Sequence, residues 1–73
     1  MSTVLVIDDD RSVLHLVTKA LQNDDIRVRT APTAAEGLKA VAESPPDIVL
    51  LDIFLPHVSG LDVFRQIQHL LDQ

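Results

Sequence analysis

The chain has 73 residues, a formal net charge of −5, no cysteine and a hydrophobic content of 47%. This length allows one domain at most, and the acidic balance gives no electrostatic footprint for nucleic acid, so we expect no nucleic-acid contact by this chain itself. The absence of cysteine excludes disulfides and thiolate metal sites and fits a cytoplasmic location. Its apolar runs are too short for a membrane span, and its acidic N-terminus does not fit a signal peptide.

The chain is predicted to begin with a buried strand and an amphipathic helix. Residues 3–7 (TVLVI) are aliphatic or β-branched, which is typical of a strand covered on both faces in a parallel sheet. Asp10 is a favourable N-cap for a helix over 11–23, where apolar residues recur at helical spacing. The polar run at 23–25 (NDD) predicts the turn that ends this helix.

A second strand and a second helix are predicted next. Residues 26–30 alternate apolar side chains with Arg27 and Arg29, which indicates an edge strand whose arginines keep that edge soluble. The segment 33–36 (TAAE) matches a capping box. The helix that it begins is predicted to end near Glu43, because two prolines follow shortly after that residue.

The third predicted strand has a charged residue near its end. Residues 47–53 form a strand pattern that is apolar on both faces, and Asp52 interrupts the apolar run. A charged carboxylate in such a run is costly unless it is paired or bound to a metal. Ser59 is a favourable cap for a last helix, whose predicted buried stripe is Val63, Phe64, Ile67, Leu70 and Leu71.

The order of these elements predicts where the acidic residues meet. Strands that alternate with helices favour an α/β fold with a parallel sheet and helices on its faces. The carboxyl ends of parallel strands share one edge, so Asp8 and Asp9 would lie beside Asp52 if strands one and three are neighbours. Crowded carboxylates favour a cation, and oxygen ligands favour Mg²⁺. A carboxylate positioned in this way can act as a nucleophile toward a phosphoryl group.

The sequence resembles the receiver domains of two-component response regulators in three segments, which are VLVIDDD at 4–10, PDIVLLDIFLP at 46–56 and SGLDVF at 59–64. The acid pair, the aspartate of the third strand, Pro56 and Gly60 all stand at the spacing of that family. The resemblance implies a truncated flavodoxin-like fold with strand order 2-1-3, cut from 2-1-3-4-5. We therefore expect residues 1–73 to be a partial receiver domain that lacks the later strands and helices.

The resemblance also implies roles for residues at the acidic edge. It identifies Asp52 as the phosphoacceptor and a metal ligand, Asp9 as the direct ligand of Mg²⁺ (or Mn²⁺), and Asp8 as an acid that acts largely through bound water. The backbone carbonyl of Phe54 is the implied third protein ligand. Ser59 departs from the family, which often has aspartate there. The family's hydroxyl residue, aromatic switch residue and lysine would all follow position 73.

The function implied by the resemblance is signalling through phosphorylation. A sensor histidine kinase or a phosphotransfer protein would donate a phosphoryl group to Asp52, and the modified domain would signal to an effector such as a transcription regulator. Such a domain is not an enzyme in the usual sense, since it catalyses at most its own phosphotransfer and dephosphorylation. The segment FLPHVSGLDVF also resembles receivers attached to sigma-54-type transcription activators.

The alternative is a truncated receiver that folds and associates without switching. Its third strand would be an apolar edge, and such an edge is a template for pairing with another chain. We therefore expect a homodimer or higher homo-oligomer, with contacts through strand three, through helix three (Phe64, Ile67 and Leu71), or through both.

Other functional classes fit the sequence less well. A phosphatase of the haloacid dehalogenase type needs an aspartate two residues after its nucleophile, where this chain has Phe54. A dinucleotide-binding fold needs a glycine-rich turn after strand one, where this chain has DDDRS. Asp24 and Asp25 are predicted to be solvated turn residues, and His15 and His57 are predicted to be ordinary side chains and not ligands.

Overall fold

The computed structural model describes all residues, 1–73. Its elements are strand β1 (Ser2–Ile7), helix α1 (Arg11–Leu21), strand β2 (Ile26–Ala31), helix α2 (Ala34–Glu43), strand β3 (Ile48–Leu51) and helix α3 (Gly60–Leu71). The strands are parallel and lie in the order β2-β1-β3, so the predicted alternation and strand order are both confirmed. No helix is both long enough and apolar enough to cross a membrane.

The central strand β1 fixes which residues meet at the carboxyl end of the sheet. Ile7 pairs with Leu51 of β3 on one side and with Ala31 of β2 on the other. Just beyond this point the N–H of Asp52 donates to the carbonyl of Ile7 over 2.9 Å. Because β1 and β3 run in the same direction and end side by side, the residues that follow them start from adjacent positions.

Helices cover both faces of the sheet, as predicted. On one face α1 packs on β1 and β2, and Leu14 forms a small buried cluster with Val4 and Val6. On the other face α2 and α3 enclose the main core, whose buried members are Leu5, Ile7, Ala31, Val41, Leu55, Val63 and Ile67. Successive residues of a strand point to opposite faces, so β1 is apolar throughout because it has a core on each side.

The residues predicted to begin the helices do so through their side chains. A carboxylate oxygen of Asp10 accepts from the N–H of Ser12 at 2.9 Å. The hydroxyls of Thr33 and Ser59 accept from backbone N–H groups three residues further on, at 3.1 Å and 3.4 Å. Each cap satisfies a donor that has no partner inside its helix, which fixes where the chain enters the helix.

Several apolar residues are more exposed than their spacing predicts. Phe64, predicted to lie in the core, is 47% exposed, because α3 turns Val63 and Ile67 toward the sheet and leaves Phe64 on its flank. The third strand, predicted to be covered on both faces, exposes Ile48 and Leu50. The reason is that α1 packs on β1 and β2, and a groove separates α1 from β3.

The two arginines of β2 have different environments. Arg27 is exposed, as predicted for a residue that keeps the sheet edge soluble. Arg29 is half-buried, and its guanidinium donates to the carbonyl of Ser44 at 2.7 Å and to the carbonyl of Ala40 at 2.9 Å. These carbonyls lie at the end of α2, so the prediction for Arg29 is corrected: this side chain caps the C-terminus of a helix.

Candidate functional site

Three carboxylates meet at the carboxyl end of the sheet. Asp8 and Asp9 follow β1, Asp52 follows β3, and one oxygen from each lies within 4.8 Å of the others. Asp8 and Asp52 are half-buried, whereas Asp9 is exposed. The parallel register of β1 and β3 brings these residues together, and we call the three side chains the acidic cluster.

No positive side chain neutralises the acidic cluster. The one ion pair in the chain joins Lys39 and Glu43 along the exposed side of α2, with nitrogen and oxygen 3.9 Å apart. Three like charges at the separation seen in the cluster repel one another, and a cation bound between them relieves that repulsion. The electrostatics of this edge of the sheet therefore favour the binding of a cation.

Local hydrogen bonds leave part of each carboxylate free. Oδ1 of Asp8 accepts from the N–H of Asp10, and Oδ1 of Asp52 accepts from the N–H of Phe54, each at 2.9 Å. The second oxygen of each residue has no protein donor, and neither oxygen of Asp9 has one. The backbone carbonyl of Phe54 also accepts no backbone hydrogen bond. These atoms are available as ligands.

The free atoms of the site fit a hard divalent cation. Carboxylate, carbonyl and water oxygens are the ligands that suit Mg²⁺ and Mn²⁺ in proteins. Mg²⁺ is commonly held by only one or two carboxylates together with water and phosphate oxygens. The acidic cluster supplies oxygen atoms alone, and no histidine belongs to it. Its donor chemistry is therefore suited to Mg²⁺ or Mn²⁺.

The loop after β3 is held against the start of α3. Gly60 is the first residue of that helix, and a Cβ at this position would overlap Cα of Ile53 and lie 2.5 Å from its carbonyl oxygen. A side chain there would have to displace backbone, so this close approach requires glycine. The contact fixes Ile53, which lies between Asp52 and Phe54, and so positions two residues of the predicted site.

The other titratable residues singled out by the sequence lie outside the acidic cluster. His15 is exposed on α1, and Asp24 and Asp25 are exposed in the turn after it. His57 is exposed in the loop before α3 and has a φ of 65°, a left-handed conformation that is uncommon for a residue other than glycine. None of the four belongs to the group of carboxylates.

Sequence reasoning missed the role of Asp47. Its Oδ2 accepts from the N–H of Thr3 at 2.7 Å and from the Thr3 hydroxyl at 3.3 Å. Its own N–H donates to the carbonyl of Thr3 at 3.0 Å, so the two residues join the starts of β1 and β3. The signal in the sequence is an aspartate directly after two prolines, which is equally typical of a solvated turn residue.

The sequence model of the response regulator receiver domain family matches residues 4–73. This chain belongs to the receiver domain family. The match covers nearly all of the chain and includes the three segments that carry the resemblance. It confirms that resemblance and identifies the chain as a receiver of two-component response regulators.

Curated relatives of this receiver chain are named as regulators. The chain is 48% identical over 63 residues to the transcriptional regulatory protein KdpE of Mycobacterium tuberculosis, a match that covers 86% of the chain and 28% of the relative. It is 37% identical over 65 residues to the response regulator MprA of Mycobacterium sp. (strain KMS), which covers 89% of the chain and 28% of the relative. The receiver chain thus spans less than a third of the length of these relatives.

Solved structures agree with the fold of the receiver chain. A receiver domain protein from Clostridium thermocellum has a TM-score of 0.89 at 32% identity, covering 99% of the chain and 59% of that structure. The response regulator TrrA of Thermotoga maritima, in complex with Mg(2+)-BeF, has a TM-score of 0.86 at 35% identity, and the match covers 94% of the chain and 60% of TrrA. The predicted flavodoxin-like architecture with strand order 2-1-3 is therefore confirmed.

Proposed function

We propose that this receiver accepts a phosphoryl group on Asp52 from a sensor histidine kinase or a phosphotransfer protein and signals to an effector such as a transcription regulator. The observation that carries the proposal is the acidic cluster, in which one oxygen from each of three carboxylates lies within 4.8 Å of the others without a positive partner. Membership of the receiver family supports the reaction class, and the geometry of the cluster supports the choice of residues.

The hydrogen bonds around the cluster suggest a role for each residue toward Mg²⁺. Asp9 has two free oxygens and is the best direct ligand, while the single free oxygen of Asp8 suits contact through water. The free carbonyl of Phe54 and the carboxylate of Asp52 complete the proposed protein ligands. When bound, Mg²⁺ or Mn²⁺ would stabilise the negative charge that spreads over a transferring phosphoryl group.

The same hydrogen bonds suggest how Asp52 acts as the nucleophile. Its Oδ1 is held by the N–H of Phe54, which fixes the orientation of the carboxylate, and the other oxygen is free to attack. Attack on a phosphohistidine forms an O–P bond as the N–P bond breaks, and the imidazole leaves with the electron pair and takes up a proton. The chain is therefore a phosphoacceptor that catalyses at most its own phosphorylation and dephosphorylation.

Two structural neighbours support the metal and the donor in this proposal. TrrA of Thermotoga maritima was solved with Mg(2+)-BeF, and also in complex with the histidine kinase ThkA, the latter with a TM-score of 0.85 to this chain at 35% identity. Both facts belong to TrrA and come to this chain by family likeness. The regulatory names of the curated relatives support an effector in transcription, and the proposed role is cytoplasmic.

We also propose that residues 1–73 are the first part of a receiver domain. The chain covers 59% of the Clostridium thermocellum structure, so that receiver domain protein has further residues beyond the matched part. In the family a hydroxyl and a lysine from those later elements contact the phosphoryl oxygens. Removing one such donor from an active site costs about 10²–10³ in rate, so we expect residues 1–73 alone to be phosphorylated slowly.

The test is phosphorylation by a small donor. The chain is incubated with acetyl phosphate and Mg²⁺ and its intact mass is followed over time, alongside Asp52→Asn and the control Asp24→Asn. We expect slow addition of one phosphoryl group to the wild type and the control, and none to Asp52→Asn. Labelling of Asp52→Asn at the wild-type rate would contradict the assignment.

Self-association is the second candidate function, and the exposed apolar residues favour it. The open side of β3 and the flank of α3 carry large apolar side chains that are each more than 40% exposed, namely Ile48, Leu50, Ile53, Leu61, Phe64 and Leu71. These side chains lie on both faces of the sheet beside the unpaired edge of β3, and that edge is suited to pairing in a homodimer or higher homo-oligomer. Ile67, predicted for this contact, is buried in the core and does not contribute.

Sedimentation velocity at micromolar concentration tests the self-association. We expect the wild type to sediment as a dimer or larger species and Leu50→Lys to shift toward monomer, because lysine places a charge on the apolar side of the edge strand. A wild type that stays monomeric as its concentration rises would exclude this candidate and leave the phosphoacceptor role unaffected.

A further inference from the structure

The two glycines of the chain both lie in helices, and both contact a residue adjacent to the acidic cluster. Gly60 of α3 lies against the backbone of Ile53, the residue after Asp52. Gly37 of α2 is buried against the side chain of Ile7, the residue before Asp8. Glycine in a helix interior costs about 1 kcal/mol relative to alanine, so the stability of α2 does not explain why position 37 is a glycine.

Ile7 connects Gly37 to two of the three carboxylates. It is completely buried, and its carbonyl accepts the N–H of Asp52 at 2.9 Å. The next residue is Asp8, whose own N–H donates to the carbonyl of Ala31 at 3.1 Å. A shift of Ile7 would therefore move the start of Asp8 and the hydrogen bond that places Asp52 at the same time.

A side chain at position 37 would force such a shift. A Cβ there would lie 2.5 Å from Cδ1 and 2.8 Å from Cγ1 of Ile7, well inside van der Waals contact. Ile7 is β-branched and surrounded by the main core, so its side chain has few other rotamers to adopt. Interiors are close-packed, so the strain is passed on to the backbone or to the position of α2.

We propose that Gly37 is a positioning residue for the acidic cluster. Its lack of a side chain sets how deeply α2 seats on Ile7, and the place of Ile7 sets the position of Asp8 relative to Asp52. The inference rests on the proposed metal site for its effect on Mg²⁺ binding. Its effect on the hydrogen bond between Asp52 and Ile7 is independent of any metal.

The test compares Gly37→Ala with Ala42→Gly, Ile7→Val and the double variant Gly37→Ala/Ile7→Val. Ala42 is exposed on the same helix, so its change to glycine weakens α2 without touching Ile7. Ile7→Val removes Cδ1, the atom closest to the added Cβ. Two quantities are measured on the 73-residue chain: Mg²⁺ affinity from amide shifts, and hydrogen exchange of the Asp52 amide relative to that of Leu5.

We expect Gly37→Ala to weaken Mg²⁺ binding about tenfold, as residues that orient metal ligands commonly do when changed, and to speed exchange of the Asp52 amide. Ile7→Val should restore part of both effects in the double variant, whereas Ala42→Gly should leave Mg²⁺ affinity unchanged. If the single variant Gly37→Ala does not fold, the double variant is compared with Ile7→Val. We then expect the double variant to bind Mg²⁺ more weakly than Ile7→Val, by less than about tenfold, and to exchange its Asp52 amide faster.

Some outcomes would overturn the inference. One such outcome is that Gly37→Ala binds Mg²⁺ and exchanges its Asp52 amide like the wild type. Another is that Gly37→Ala lowers Mg²⁺ affinity equally in the presence of Ile7 and of the shorter valine side chain in the double variant, because the clash with Cδ1 of Ile7 would then not be the cause. If the wild type binds no Mg²⁺, the proposed function fails, and the exchange of the Asp52 amide still decides the positioning role of Gly37.

Discussion

The two aspartates that flank β3 show how the same residue type acquires different roles at the two ends of one strand. Asp47 precedes the strand and exchanges hydrogen bonds with Thr3 of β1, so its charge is met by donors. Asp52 follows the strand and accepts from the N–H of Phe54, but it also lies beside Asp8 and Asp9, which carry charge of the same sign. The first arrangement stabilises the sheet, and the second has the capacity to bind.

The direction of the strands is the physical origin of this difference. At the amino end of the sheet the backbone N–H of Thr3 donates to the carboxylate of Asp47, and the N–H of Asp47 donates to the carbonyl of Thr3. At the carboxyl end the chain leaves the sheet toward helix N-termini and loops, which is where open parallel sheets bind their ligands. A change at Asp52 should therefore affect binding, and a change at Asp47 should affect folding.

The largest expected effect is on metal binding at the carboxyl end. Asp9→Asn should weaken Mn²⁺ binding at least about tenfold, because the carboxylate with two free oxygens is removed from the site. Electron paramagnetic resonance measures the free ion during the titration. The control Asp24→Asn removes the same charge from an exposed turn and should bind Mn²⁺ like the wild type. An equal loss of Mn²⁺ affinity in Asp9→Asn and Asp24→Asn would mean that the net charge of the chain, and not the acidic cluster, determines Mn²⁺ binding.

The second expected effect is on the free energy of unfolding, which should respond differently to changes at the amino and carboxyl ends of the sheet. Without metal, Asp47→Asn should lower the free energy of unfolding by about 1 kcal/mol, since hydrogen bonds to a charged acceptor are stronger than neutral ones. Asp52→Asn keeps an acceptor oxygen and removes repulsion, so it should leave stability unchanged or raise it. Urea denaturation of both variants measures this. A larger loss in Asp52→Asn than in Asp47→Asn would reverse the comparison and refute it.

The smallest expected effect concerns the two arginines of β2, of which Arg29 is hydrogen-bonded to the end of α2 and Arg27 is exposed. Arg29→Met should destabilise the chain by about 1 kcal/mol, because the carbonyls at the end of α2 lose their donors. Arg27→Met changes an exposed residue and should stay within about 0.5 kcal/mol of the wild type. Thermal denaturation of the pair checks this, and equal losses would show that Arg29 acts only through its charge.

The sequence was sufficient to predict the elements, the caps and the meeting of the acidic residues. Each of these depends on local signals or on a rule of parallel sheets: Asp10 and Ser59 begin helices, and Asp8 and Asp52 lie at the ends of strands that share one edge. The third strand was predicted over 47–53, but it ends at Leu51, so Asp52 lies just beyond it. The exchange between Asp47 and Thr3 was not predictable, because it joins residues 44 positions apart and depends on the register of the strands. Register is fixed by packing that no local pattern contains.

The rotation of a helix about its own axis was also not predictable from the sequence. The apolar stripe of α3 is wide enough to include Phe64, and the spacing does not say which edge of the stripe faces the sheet. The structure turns Val63 and Ile67 inward and leaves Phe64 nearly half exposed. The contact of Gly37 with Ile7 is of the same kind, since it depends on how deeply α2 seats on the sheet.

The most direct test of the central claim is a Mg²⁺ titration followed by amide chemical shifts. The claim is that the carboxyl end of the sheet binds the metal and the amino end does not. We predict that the amides of Asp8, Asp9 and residues 52–54 shift by millimolar Mg²⁺, while those of Thr3 and Asp47 stay in place. Shifts of equal size at both ends, or no shift at residues 52–54, would contradict the assignment of the acidic cluster as the metal site.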